Sequence, residues 1–128
     1  MNKFASISAL VFGIILVLGG IGHFAKPDLY NAFMPDFLPK MAINIVVGAV
    51  ELVVGVGCFI PKYRTEALRF TGLLMGAFVA VHTLDVFREQ PAIGSKTVAS
   101  IRLVVQWFIV YWSWWAWRKH RDANSKPN

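Results

Sequence analysis

Glu51 stands near the middle of an apolar run, residues 42–60, in which it is the one charged residue. A carboxylate at a helix centre in lipid costs on the order of 2.5–3.5 kcal/mol on insertion scales, so it needs a partner or a task. Five other polar side chains are placed to supply one. His23 closes the first apolar run, His82 and Asp85 sit at i, i+3 near the end of the third, and Arg102 and Gln106 sit at i, i+4 near the start of the fourth. An imidazole and a desolvated carboxylate exchange protons, and a guanidinium holds an anion, so these types suit proton transfer or polarisation of a bound ligand. Two readings stay open. The six residues form a proton-handling or ligand-polarising pocket, with Glu51 and His82 as its titratable members. Alternatively they are a staple, in which Arg102 neutralises Glu51 or Asp85 while Gln106 and His82 satisfy what remains. His23, His82, Asp85 and Glu51 are of metal-ligating types, but no tight ligand spacing joins them and no metal is assigned.

The elements that must carry these residues follow from composition. The chain is 56% hydrophobic and 16% charged, against about 25% charged in soluble domains. Disorder is excluded, and the apolar excess calls for lipid as a second solvent. The apolar residues gather into blocks at 4–22, 42–60, 70–87 and 101–117, each long enough to cross a hydrocarbon core about 30 Å thick at 1.5 Å per residue. A soluble four-helix bundle would need a polar face on each helix, yet VFGIILVLGG and VGAVELVVGVG are apolar around the whole circumference. The expected fold is therefore all-α, a single membrane domain of four transmembrane helices. Met1 to Lys3 before an apolar run resembles a signal peptide, but the run is long for one and GIGHFAKPD offers no clear cleavage site, so it counts as the first span.

Lys and Arg set the orientation. One side holds Lys3, Lys62, Arg64, Arg69, Arg118, Lys119, Arg121 and Lys126; the other holds Lys26, Lys40, Arg88, Lys96 and Arg102. The richer side is expected to be cytoplasmic, which places both termini and the tail 118–128 inside a bacterial-type inner membrane, with Trp112 to Trp117 anchoring that interface. By the same arithmetic Glu51 lies about 13 Å below the outer boundary, and all six polar groups fall in the outer half of the bundle, with none in the cytoplasmic half. The net charge of +6 is then a topology signal, and no nucleic-acid module is visible.

Residues 25–41, with Pro27, Pro35 and Pro39, are long for a plain turn. Tyr30, Phe33, Met34, Phe37 and Leu38 make an amphipathic stripe that Pro35 should break into short pieces, a lid or proline-kinked loop in the outer interface. Gly48, Glu51 and Gly55 share a face where another backbone can approach, and Gly72, Gly76 and Ala80 form a small-residue ridge suited to helix packing. Cys58 is the single thiol, so the chain cannot run dithiol chemistry alone. No phosphate-cradling loop, nucleophile elbow or haem-attachment pattern is present, so no reaction is assigned from motifs.

Gly19-Gly20-Ile21-Gly22-His23-Phe24, then Pro27, Tyr30 and Met34 to Pro39, Gly48-Ala49-Val50-Glu51-Leu52, Ile60 to Arg64, and Arg102-Leu103-Val104-Val105-Gln106 resemble, in order over nearly the whole chain, the DoxX-like family of small four-span membrane proteins. The resemblance implies an accessory inner-membrane subunit of a quinone-linked or oxidative-stress redox system, a quinone headgroup or a small solute as the ligand, and a redox enzyme complex or a second copy as the protein partner. The other classes are a non-catalytic assembly or scaffold protein, and a small-solute or proton carrier.

Overall fold

A computed structural model describes residues 2–127 and contains five helices: α1 Lys3–Ala25, α2 Asp28–Asn31, α3 Lys40–Phe59, α4 Arg64–Phe87 and α5 Lys96–Asn124. Among the described residues there is no strand. The helix starts follow local chemistry. Asn2 Oδ1 accepts from the backbone N–H of Phe4 and Ala5 at 2.9 and 3.3 Å, and Ser95 Oγ accepts from Val98 N–H at 3.2 Å, so the first and last helices have a side-chain cap. Pro39 precedes α3, and between α4 and α5 the chain turns at Gly94, whose φ of 127° lies in the region that favours glycine.

The four long helices run antiparallel in chain order and pack as two pairs, α1 with α3 and α4 with α5, joined by less extensive α3–α4 and α1–α5 contacts. In α1 the buried positions Ala5, Ser8, Ala9, Phe12, Leu16, Gly20 and His23 form one stripe at helical spacing. The apolar core lies in the half nearer the termini, where Phe12 and Leu16 meet Cys58, Leu68, Met75 and Ala116, and where Trp112 packs on the Phe12 ring at 4.5 Å between centroids. Trp112 Nε1 donates to Ser8 Oγ at 2.9 Å, which ties the middle of α5 to the second turn of α1.

The α1–α3 seam is closed by glycine. A Cβ on Gly48 would stand 2.8 Å from His23 Cβ, and one on Gly20 would stand 2.9 Å from the Gly48 carbonyl oxygen, so the two backbones touch where side chains would hold them apart. The small residues of α4 behave differently from the packing ridge expected of them. Gly72 faces Ser113, but a Cβ on Gly76 would meet nothing within 4 Å and Ala80 is exposed, because α4 turns this strip outward.

α1, α3 and α4 are long and apolar enough to cross a membrane. α5 is longer, but Arg102, Gln106 and its run of Trp and Tyr lower its apolarity below theirs. The helices also outrun the expected apolar blocks. α5 continues through residues 118–124, where the sequence suggested a tail, because buried His120 docks on Thr65 there.

Candidate functional site

Two of the six candidate residues meet directly. His23, on the last turn of α1, places Nε2 3.3 Å from Glu51 Oε2 on α3, and each residue is 5% exposed. The contact lies within ion-pair distance but is not aligned as a hydrogen bond, and Oε2 has no hydrogen-bond partner among the described residues. The other ring nitrogen, Nδ1, is 2.8 Å from Asn44 Oδ1. Asn44 Nδ2 donates to Asn31 Oδ1 at 2.7 Å, and Asn31 Nδ2 donates to Asp28 Oδ1 at the rim, at 3.4 Å.

The lid completes this cluster. α2 and the turns after it, residues 26–39, fold over the end of the α1–α3 pair, and the stripe expected to face headgroups divides. Phe37 is exposed, whereas Tyr30 stacks on the His23 ring with centroids 3.7 Å apart and planes at 20°. The Tyr30 hydroxyl donates to the Gly19 carbonyl at 3.2 Å, and it fits against Gly22 because any Cβ there would fall on it. Burial, and then the charge of Glu51, hold the Tyr30 phenol above its ordinary pKa of 10.0. Phe33 sets its edge against the His82 ring at 5.7 Å between centroids. Arg88 clamps the lid from the end of α4, donating to the carbonyls of Ala32 and Phe33.

The other four candidates do not join Glu51. Asp85 accepts from Ala92 N–H at 2.6 Å and Ile93 N–H at 3.4 Å, with Arg88 Nη1 at 3.9 Å, so its buried carboxylate organises the α4–α5 turn. Gln106 Nε2 donates to the Met75 carbonyl at 2.9 Å and fastens α5 to α4. Among the described residues Arg102 makes no ion pair, so the expected neutralisation of Glu51 or Asp85 by Arg102 is replaced by His23 and by backbone N–H groups and Arg88. His82 stays near the C-terminal end of α4, with Nδ1 buried and without a hydrogen-bond partner among the described residues. Among the described residues no three His, Cys, Asp or Glu side chains come together.

Sequence reasoning passed over Asn44, Tyr30 and Asn31 as site residues. A signal for Asn44 was present: Asn44, Gly48, Glu51 and Gly55 recur at i, i+4, i+7 and i+11, one helix face. Asn31 carried no such mark, and the stripe that includes Tyr30 pointed to the interface, because the fold of the lid decides which of its side chains turn inward.

The half expected to lack polar groups has its own cluster. Arg64, 8% exposed, donates from Nε to the Cys58 carbonyl at 2.8 Å and from Nη2 to the Phe59 carbonyl at 3.2 Å. Thr65 Oγ1 is 3.0 Å from His120 Nδ1 and also accepts from Asn124 Nδ2 at 3.0 Å. Burial, and then the Arg64 charge, hold the His120 pKa below 6.5.

Comparison with known proteins corrects the family. No curated protein and no solved structure matches the chain. The resemblance to DoxX-like proteins is not upheld, because the family that matches is a different one. Two of the motifs that carried it, Gly19 to Phe24 and Gly48 to Leu52, lie where α1 and α3 approach closely, a packing solution that is not specific to one family. The quinone, the redox partner and the oxidative-stress role came with that resemblance and lose their support with it. A domain of unknown function (DUF8561) matches residues 12–117, a stretch that includes the whole His23–Glu51 cluster and its lid, and the chain belongs to that family.

Proposed function

We propose that the chain is a four-span inner-membrane protein whose His23–Glu51 pair, in the outer half of the bundle, takes up and releases a proton and so polarises or carries a small solute. The observation that carries this reading is a carboxylate in the middle of an apolar helix, 5% exposed, whose one partner within ion-pair distance among the described residues is an imidazole. A purely structural pair would be better served by a permanent cation, and among the described residues the group facing Glu51 is an imidazole. The lid covers the pair with Tyr30 and ties His23, through Asn44 and Asn31, to Asp28 at the rim.

The membrane reading draws on the outward faces. Ile14 and Leu18 on α1, Val46 and Val53 on α3, and Leu73 and Leu84 on α4 are exposed large apolar residues. Val104, Trp107, Phe108, Tyr111 and Trp114 extend the same surface over α5, which supports counting it as the fourth span. An even number of spans puts both termini on one side, and the Lys and Arg count makes that side cytoplasmic.

The test is proton movement across proteoliposomes containing an internal pH dye, under an imposed pH gradient and a clamped potential. Wild-type chain should equilibrate the gradient at least about tenfold faster than Glu51→Gln, equivalent to about 1.4 kcal/mol on the barrier. Equal rates, with both proteins folded, would overturn the reading. The second reading is an assembly protein, favoured by the outward strip of Gly76, Ala77 and Ala80 on α4, where another helix can lie close. It predicts that Gly76→Leu, and not Glu51→Gln, abolishes the protein's effect in cells.

A further inference from the structure

We infer that His23 is locked as its Nδ1–H tautomer by a one-way chain of hydrogen bonds that begins at Asp28, so that His23 Nε2 and Glu51 Oε2 together form a binding site for one proton. This deepens, and rests on, the reading of the pair as proton-handling. The direction of the chain follows from the chemistry of its outer end. An ionised carboxylate only accepts, so the Asn31 group facing Asp28 Oδ1 at 3.4 Å is its NH2, and the Asn31 oxygen is left facing Asn44. That oxygen in turn requires the Asn44 NH2 at 2.7 Å, which leaves Asn44 Oδ1 facing the ring. A carbonyl oxygen 2.8 Å from Nδ1 requires a proton on Nδ1.

With Nδ1–H fixed, the proton that remains has two homes. In one state Glu51 carries it on Oε2 and His23 is neutral with its Nε2 lone pair directed at the carboxyl group. In the other the Oε2–H bond has broken, its electron pair stays on Oε2, and an Nε2–H bond has formed, leaving carboxylate and imidazolium. Both states have zero net charge, which is what a low-dielectric site tolerates. The 3.3 Å contact is not aligned as a hydrogen bond, so transfer needs a small swing of the carboxylate. Gly19 gives it room, since a Cβ there would stand 3.2 Å from Oε2. Tyr30 covers the face of the ring and Asp28 lies at the rim. Among the described residues α4 and α5 bring no hydrogen-bond or ion-pair partner to His23 or Glu51.

Asn44 and Asn31 are thus positioning residues, and the state of the ring nitrogens reads their role directly. The experiment is nitrogen-15 NMR of the full chain, labelled at histidine, in lipid nanodiscs, with the His23 signals assigned by their loss in His23→Gln. The wild-type protein should show Nδ1 protonated at every pH at which it stays folded, with only Nε2 changing state. Asn44→Asp keeps an acceptor opposite Nδ1 and should keep the tautomer; Asn44→Leu removes it and should lose the Nδ1–H signal in favour of Nε2–H. An unprotonated Nδ1 in the wild type, or a tautomer indifferent to Asn44→Leu, overturns the lock. If Asn44→Leu does not fold, the wild-type spectrum decides alone. Proton flux is a separate readout: a correct tautomer with flux indifferent to Glu51→Gln sinks the proposed function and spares the lock, and the reverse result sinks only the lock.

Discussion

Glu51 and Arg64 are both buried charges, one in the middle of α3 and the other at the first residue of α4, and the fold treats them differently. Arg64 sits where α3 ends, and helix ends leave carbonyls without intrahelical partners. Its guanidinium takes those of Cys58 and Phe59, at the negative end of the helix dipole, so the charge has fixed acceptors. Glu51 sits in mid-helix, where every backbone N–H is already used, so only a side chain from another element can meet it. That side chain is a histidine, and one carboxylate oxygen keeps no hydrogen-bond partner among the described residues. The contrast is informative: one buried charge is explained completely by the geometry of a helix terminus, while the other is held by a group that can itself gain or lose a proton.

The largest way to break this comparison is to part the helices that make the Glu51 site. Gly48→Leu would drive atoms into His23 and Phe24, and should cost at least about 3 kcal/mol, the upper part of the range for overpacking, or prevent folding; thermal unfolding in nanodiscs measures it. Arg64→Ala comes next. It removes two charge-assisted hydrogen bonds from buried carbonyls and should cost about 2–3 kcal/mol in the same assay, while leaving proton movement unchanged.

Glu51→Gln should show the opposite pattern. The carboxamide keeps the size of the side chain and removes the need to pair a charge, so stability should change by less than about 1 kcal/mol while proton movement is lost. A large loss of stability with unaltered flux would make the Glu51 cluster as structural as the Arg64 one. The Arg64 and His120 end of the bundle has its own pH signature. His120 is held below 6.5 in the folded chain, so the unfolded chain takes up a proton there first. Stability from this group is complete above pH 6.5 and is lost as the pH falls from 6.5 through the folded value; His120→Gln should flatten that acid limb of the melting temperature. The smallest effect expected is that of Tyr30→Phe. It deletes one partly exposed hydrogen bond to Gly19, worth about 0.5–1 kcal/mol, and keeps the ring stacked on His23.

Much of the architecture was readable from residue types. Three helices long and apolar enough for a membrane, and a glycine-lined face around Glu51, follow from uninterrupted apolar runs and from the spacing of Gly48, Glu51 and Gly55, because helical periodicity is a property of the local chain. The same runs misplaced the boundaries of α5, since apolarity stops at Trp117 while the helix continues to Asn124 through a contact between His120 and Thr65 that no local pattern announces.

The sequence by itself determined that Glu51 had to be paired, because the cost of a lone carboxylate in an apolar helix depends only on its surroundings in that run. It did not determine the partner. Arg102, Gln106, His82, Asp85 and His23 were all eligible by depth along their helices, and depth says nothing about which helix faces which. That was decided by the glycine contact between α1 and α3, which brings His23 and Asn44 to Glu51, and by the lid, which turns Tyr30 and Asn31 inward. These are contacts between segments far apart in the chain, set by which surfaces pack together, and only the tertiary structure holds them.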